Sequence, residues 1–189
     1  GSSQTTFAYA SSSNLLNEPN VFEWLDVELV NSARLTFSAQ ATTPGSSLLS
    51  VRDLLALRDT SSLYINGRTN VTAAELLVSS GCVVDGDGGW PSNKMEPGCE
   101  NLYSGNSYKS GGAHGGATQR GWGSDVVAGK PCGSYRLPMQ PGNGGGTDRG
   151  GKGGGSVHVV ATTVVVDGTI RANGNAGTTS CNSYGGGGG

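Results

Sequence analysis

Two carboxylates, Asp85 and Asp87, stand two positions apart in the stretch DGDGG and are the first candidates for chemistry. Oxygen ligands at alternating positions in a tight turn are typical of calcium-binding loops. A complete site needs about six oxygens, and the distant glutamate of an EF-hand loop is missing here. We therefore interpret the stretch as a turn whose aspartates accept hydrogen bonds from nearby backbone N–H groups, with a calcium site as the alternative. No metal ion or cofactor is expected.

The two histidines offer little for catalysis. His114 lies between glycines and His158 lies in an alternating apolar stretch. A catalytic pair with Asp125 or Asp148 would also need a nucleophile, and no serine or cysteine lies in a recognisable nucleophile motif. We expect His114 to hydrogen-bond to carbonyls of the glycine-rich loop and His158 to face outward. The sequence thus predicts a protein that is not an enzyme.

The cysteines favour an oxidising compartment. No two of them have CxxC spacing, and with only 2 histidines in the chain a zinc site is disfavoured. An even number of cysteines in a glycine-rich chain is typical of disulfides, and three pairings stay open. The four residues are Cys82, Cys99, Cys132 and Cys181. Asn70-Val71-Thr72 is an N-glycosylation sequon. Together these features predict a secreted or cell-surface glycoprotein.

Composition excludes two classes of partner. Lys+Arg 12 against Asp+Glu 14 gives a formal net charge of -2, whereas a nucleic-acid-binding protein needs a basic face. No apolar run reaches the roughly 18 residues of a membrane span. Among the tryptophans, Trp90 and Trp122 are candidates for stacking on sugar rings, although tryptophans more often anchor packing.

Four related segments predict the fold. Each has a short apolar alternation, a small polar corner and a second alternation, and period-two alternation is typical of strands with one buried face. The second segment places Leu55 and Leu63 where the first has Val27 and Leu35. Repeats of this kind predict a parallel β-solenoid, because each turn buries its apolar face only by stacking on the next. The segments are Val27–Phe37, Leu55–Ile65, Leu76–Gly86 and Thr163–Gly174. A helix over 47–59 is the alternative for the leucine-rich stretch SLLSVRDLLALRD.

Glycine divides the chain. Of 34 glycines only Gly1, Gly45 and Gly67 precede residue 80. We predict one all-β domain over 1–189, in which an ordered, loop-like glycine-rich insertion packs beside the solenoid, backbone against backbone. Its parts are first coils over 20–87, the insertion over 88–155, a returning coil over 156–177 and the start of a further glycine-rich segment over 178–189.

Three motifs resemble a family. GGAHGG at Gly111–Gly116, CGSYRLPMQPGNGGG at Cys132–Gly146 and GGGSVHVVATTVVVDGTIRANG at Gly153–Gly174 are similar to glycine-rich repeats of large extracellular and cell-surface proteins. The resemblance covers about 76–189. It implies a parallel β-helix used in stalks, adhesins or matrix, without common catalytic residues.

The predicted function is structural. The chain would be a building block of a surface fibre, stalk or matrix, in which subunits add head-to-tail when a terminal strand completes the neighbour's sheet. The expected partners are further copies or segments of a larger surface protein. An adhesin or carbohydrate-binding module that uses aromatics of the glycine-rich layer is the second interpretation. A β-helix carbohydrate-active enzyme is the third.

Overall fold

The computed structural model describes residues 21–38, 46–90, 134, 136, 139–144 and 151–177. All regular structure in these ranges is β-strand, and they contain no helix. The all-β class predicted from the sequence is therefore confirmed for this part of the chain. The strands are β1 (Val21–Trp24), β2 (Val27–Leu29), β3 (Arg34–Ser38), β4 (Ser46–Val51), β5 (Leu54–Leu57), β6 (Ser62–Asn66), β7 (Arg68–Val78), β8 (Val83–Asp85), β9 (Ser156–Val166) and β10 (Thr169–Arg171).

The strands form two sheets in which every neighbouring pair runs parallel. The first sheet has the order β1-β4-β7-β5-β2, and β9 also pairs with β7. The second has the order β10-β8-β6-β3. On the edge away from β9, strand β7 has two neighbours, because Arg68 to Thr72 pair with β4 and Glu75 to Val78 pair with β5. The long strand β7 therefore covers the length of the two short strands β4 and β5 that precede it.

The pairing register follows the sequence repeats. Val27 lies beside Leu55, and Leu55 lies beside Leu76, as the aligned segments predict. The fourth segment joins in the same way, since Val164 lies beside Leu76 across a gap of 88 positions. Residues at equivalent repeat positions are therefore neighbours in space, and their side chains point to the same face of the sheet.

The polar corners lie on one another between the two sheets. Asn31, Ser32, Asp59 and Thr60 all have positive φ, between 51 and 61°. The N–H of Ser32 donates to the carbonyl of Asp59 at 2.9 Å, and the Ser32 and Thr60 hydroxyls share a hydrogen bond at 2.8 Å. Short polar side chains tolerate this left-handed conformation better than apolar β-branched ones, which explains why these two corners interrupt the apolar pattern.

One apolar core joins the two sheets. Leu49, Leu55 and Val71 of the first sheet and Leu63 and Ile65 of the second belong to a single buried cluster. In β6 the alternation is complete, because Leu63 and Ile65 are buried while the residues between and after them are not. Burial of such side chains is the main source of stability of the fold.

The helical alternative for residues 47–59 is wrong. The stretch forms β4 and β5, separated by Arg52 and Asp53. The N–H of Arg52 donates to the carbonyl of Trp24 at 2.8 Å, and the N–H of Asp53 donates to the carbonyl of Leu25 at 2.9 Å. Pairing with strands on both sides and burial of the leucines outweigh the helix propensity of the local sequence.

Parts of the predicted glycine-rich insertion lie within the described residues and pack backbone against backbone. The N–H of Gly142 donates to the carbonyl of Gly154, and the N–H of Trp90 donates to the carbonyl of Gly153, both at 2.9 Å. A Cβ at Gly153 would overlap the carbonyl of Gly142, so only glycine fits there. Asn143, in the same stretch, is fully buried. The remainder of 88–155 and residues 178–189 lie outside the described ranges.

Candidate functional site

Asp85 ends strand β8 and is buried, with 6% of its surface exposed. Arg171, at the end of the neighbouring strand β10, reaches it with Nη2 at 2.6 Å from Oδ2. The other carboxylate oxygen, Oδ1, accepts the backbone N–H of Asp87 at 2.9 Å. Both oxygens of this carboxylate therefore have a donor from the protein itself.

Asp87 extends the same network across the two strand ends. Its Oδ2 lies 3.1 Å from Nε of Arg171, and its Oδ1 accepts the backbone N–H of Asn173 at 2.6 Å. The carbonyl of Asn173 in turn accepts the N–H of Gly88 at 2.9 Å. We call Asp85, Asp87, Arg171 and Asn173 the carboxylate clasp. It holds the returning segment to the earlier one across 86 positions of sequence.

Electrostatics favour the ionised forms of Asp85 and Arg171. Burial raises the pKa of Asp85, but the hydrogen bond from Arg171, the N–H of Asp87 and the charge of Arg171 together outweigh it and hold the pKa below its usual value. The same hydrogen bond and the nearby carboxylates raise the pKa of Arg171. Each partner stabilises the charge of the other, as is typical of a short hydrogen bond between two ionised groups.

The hydrogen bonds of the clasp disfavour the calcium-binding alternative for Asp85 and Asp87. Calcium needs several oxygens free to converge on one point, whereas both carboxylates here are directed at Arg171 and at backbone N–H groups. Over the ranges that the structure describes, no group of three or more His, Cys, Asp or Glu side chains could hold a metal ion. Asp85 accepts the N–H of Asp87 within the turn, as expected for DGDGG, whereas Asp87 accepts the N–H of the distant Asn173.

Cys82 differs from its expected role. It is a free thiol with 2% exposure, packed in the apolar core between the corner at Gly81 and strand β8. The inward-facing position just before β8 explains this, because the side chain meets core residues rather than another cysteine. Cys99, Cys132 and Cys181 lie outside the described residues, so the predicted disulfides among them stay a prediction.

The sequon residue lies in a strand. Asn70 is in β7, half-buried, between Leu48 of β4 and His158 of β9. Its Oδ1 is buried without a hydrogen-bond partner. Glycosylation at Asn70 stays a prediction, and it concerns a position in the middle of the sheet rather than an exposed loop. His158 is half-buried beside it, in register with the face opposite the core.

Of the two sugar-stacking candidates, only Trp90 lies in the described part. Its backbone forms an isolated antiparallel bridge with Gly153, and its indole Nε1 is buried without a partner. Trp90 therefore lies where the glycine-rich segment meets the end of β8. Trp122, His114 and the aspartates Asp125 and Asp148 lie outside the described residues.

The last two strands leave core positions uncovered. Val164, Val166 and Ile170 are 52%, 41% and 41% exposed. Their register neighbours one segment earlier are buried to 3% exposure or less, and these are Leu76, Val78 and Val84. Among the described strands, β9 pairs only with β7 and β10 only with β8. We call the free edge of β9 and β10, with these apolar side chains, the open end.

Sequence reasoning identified the aspartates but missed their cation. Arg171 stands in the stretch TIRANG, which carries no charge pattern of its own. The repeat spacing does not place Arg171 beside Asp85, because paired residues are 88 positions apart at Leu76 and Val164 but 86 positions apart at Asp85 and Arg171. Opposite charges at neighbouring positions of parallel strands are a usual stabilising pair.

No helix in the described ranges is long and apolar enough to cross a membrane. Protein-family models, curated proteins and solved structures were compared with the chain, and none of them matches it.

Proposed function

We propose that the chain is a non-catalytic structural module of the cell exterior, a parallel β-solenoid that joins other copies by strand addition. A solenoid is the specific arrangement that we propose for the parallel sheets, in which successive segments of the chain stack on one another. Three columns of strands carry it, and each column repeats in chain order. They are β1-β4-β7-β9, β2-β5-β7-β9 and β3-β6-β8-β10.

The open end is the observation that carries the proposed function. A strand edge with unpaired N–H and C=O groups is a template for another strand. Most proteins shield such an edge, but here it is combined with exposed valines at core positions, Val164 and Val166. A strand added there would gain main-chain hydrogen bonds and bury apolar surface in one step.

Copies of the chain can add strands to one another in two arrangements. In the head-to-tail form expected from the sequence, the first strands β1, β2 and β3 of one copy pair with the open end of the next, and the contact repeats into a filament. In the other form, two open ends pair with one another and the contact closes. Either form makes the chain a building block of a larger structure.

The extracellular location is proposed on the sequon at Asn70, the glycine-rich composition and the resemblance to surface repeats. A carbohydrate-binding module is the competing proposal, and it depends on Trp90 and Trp122. No described cluster of side chains favours that proposal over the structural one.

Negative-stain electron microscopy and light scattering across a concentration series test the structural function. We expect assembly that increases with protein concentration, as filaments or as defined pairs. A chain that stays monomeric up to high concentration and binds on a glycan array would replace the structural proposal. In that case Trp122→Ala should abolish glycan binding while the fold persists.

A further inference from the structure

The two ends of the strand stack differ in their exposed apolar surface. At the end formed by β1, β2 and β3, the core positions Val27, Leu29 and Phe37 are 9%, 5% and 4% exposed. At the open end Val164 and Val166, which follow Val27 and Leu29 in register, are 52% and 41% exposed. At these core positions a second copy therefore finds less exposed apolar surface at the first end than at the open end.

The edge strands at the two ends also differ in how many charged side chains they carry. Glu23 lies in β1, Glu28 in β2 and Arg34 in β3, so each strand of the first edge carries a charged side chain. Charged side chains on an edge are a common protection against unwanted pairing. Strand β9, SVHVVATTVVV, has no acidic residue, lysine, arginine or proline over 11 residues. In the open end, β9 thus lacks the charged side chains that every strand of the first edge has, while β10 has only Arg171, which is paired with Asp85 and Asp87.

We propose that the open end is an interface between two copies of this chain, related by a two-fold axis and paired through β9 and β10. The inference rests on the proposed solenoid and selects the closed arrangement of copies over the head-to-tail one. Its occupant is the same surface on a second copy, because this end of the described stack combines exposed valines at core positions with a long edge strand, β9, that has no acidic residue, lysine or arginine. A two-fold contact is self-complementary and stops at two copies.

The register of β9 fits a two-fold axis. Val157 and Val159 face the core side before the corner, beside Thr69 and Val71 of β7. Val164 and Val166 face it after the corner, so the inward positions change from odd to even numbers near Ala161–Thr162. Antiparallel pairing of two β9 strands about that corner places Val159 opposite Val164 and Val157 opposite Val166 of the second copy. Core-side valines then meet core-side valines along the whole strand.

Strand β10 fits the same axis. In a three-sided cross-section, a line from the Ala161–Thr162 corner crosses the core to the opposite side, which β10 forms. Ile170 is the middle residue of that strand, faces the core beside Val84 and is 41% exposed. The axis therefore brings Ile170 against Ile170 of the second copy. Antiparallel pairing about Ile170 places Arg171 opposite Thr169 of the second copy, and the charge of Arg171 is paired with Asp85 and Asp87 of its own chain.

A charge at a core-facing position of the open end tests the interface. Val164→Lys should raise the dissociation constant of the pair by about tenfold or more, because pairing would bury an unpartnered ammonium group. Leu25→Lys is the matched control, since Leu25 is 51% exposed but lies at the other end of the stack. Sedimentation equilibrium of the full chain measures both, with circular dichroism melts to verify that each variant folds.

A cross-link tests the position of the axis. Ile170→Cys should give a covalent dimer under mild oxidation, with a peptide that joins residue 170 to itself identified by mass spectrometry. Leu25→Cys should give none. This readout does not depend on Val164→Lys being folded, and the identified peptide separates the new bond from any formed by the native cysteines.

The outcomes separate the inference from the proposed function. Dimers that Val164→Lys dissociates and that cross-link through residue 170 support the two-fold interface. Filaments, or cross-links between residues 170 and 25 in a chain carrying both cysteines, overturn it and leave the head-to-tail structural function standing. A monomer overturns the interface and the self-assembly. If the β9 amides of that monomer are protected from hydrogen exchange, the chain itself covers the open end.

Discussion

Arg171 donates from Nη2 to Oδ2 of Asp85 at 2.6 Å, although the two residues are 86 positions apart in the chain. The hydrogen bond joins the ends of strands β8 and β10, which lie in register. Asp85 is buried, whereas the side chain of Arg171 is 46% exposed. The contact therefore supplies a buried carboxylate with its charge partner and fastens the last segment to the one before it.

Replacing Asp85 by asparagine should lower thermal stability. Asp85→Asn keeps the side-chain size but leaves Arg171 without the buried carboxylate, and hydrogen bonds to charged groups are stronger than neutral ones. Asp53→Asn is the matched control, since the Arg52–Asp53 pair is 73% and 53% exposed, and its effect should stay within about 0.5 kcal/mol. Equal melting temperatures for the two variants would show that the clasp does not stabilise the fold.

Acid should remove the contribution of the clasp. The pKa of Asp85 is below its usual value in the folded protein, so the folded state binds fewer protons than the unfolded state as the carboxyl titrates. The stabilisation is then fully present above about pH 4, the ordinary carboxyl range, and is lost as pH falls through the folded pKa. Urea unfolding of the native chain and Asp85→Asn from pH 7 to pH 3 should show their difference shrinking below about pH 4. A constant difference would contradict this.

Gly153→Ala should destabilise the junction of the glycine-rich segment. The added methyl group would overlap the backbone of Gly142 and force the two segments apart, at a cost of roughly 1–3 kcal/mol for an overpacked site. Lys152→Ala is the control, because Lys152 is exposed and uses only its backbone carbonyl, which accepts the N–H of Asn175 at 2.8 Å. Chemical denaturation of both variants measures the difference, and a neutral Gly153→Ala would overturn the close backbone contact.

Substitutions at Leu76 and Val164 test whether a segment is stabilised by the next segment that pairs with it. They are register neighbours with 1% and 52% exposure. At a dilution where the chain is monomeric, Leu76→Ala should cost about 2–5 kcal/mol of unfolding free energy. Val164→Ala should cost less than about 1 kcal/mol there, as is usual for an exposed position. Similar losses in dilute solution would mean that Val164 is covered.

Cys82 should resist alkylation in the native protein. Its thiol is 2% exposed within the core, and a reagent reaches it only when β8 separates from its neighbours. Iodoacetamide labelling followed by peptide mass spectrometry should modify Cys82 in denaturant and leave it unmodified under native conditions. Rapid native labelling, or a disulfide that includes Cys82 in the isolated protein, would contradict the buried free thiol.

Local pattern predicted much of the fold. The spacing of Val27, Leu55, Leu76 and Val164 gave the register, because equivalent apolar positions must point into one core wherever they lie in the chain. The polar corners at Asn31 and Asp59 were identified because they interrupt the apolar alternation. In the structure both residues have positive φ, which short polar side chains tolerate.

Contacts between distant segments could not be predicted in this way. The pairing of Asp85 with Arg171, the inward placement of Cys82 and the strand conformation of the leucine-rich stretch over 47–59 all depend on neighbours from other turns. The exposure of side chains at the open end could not be predicted either. Val164 and Leu76 lie at equivalent positions of their segments and differ in whether a further segment pairs beyond them. The sequence by itself determined which side chains face inward. The tertiary structure decided which of them are covered, since burial depends on the neighbouring turn rather than on the residue itself.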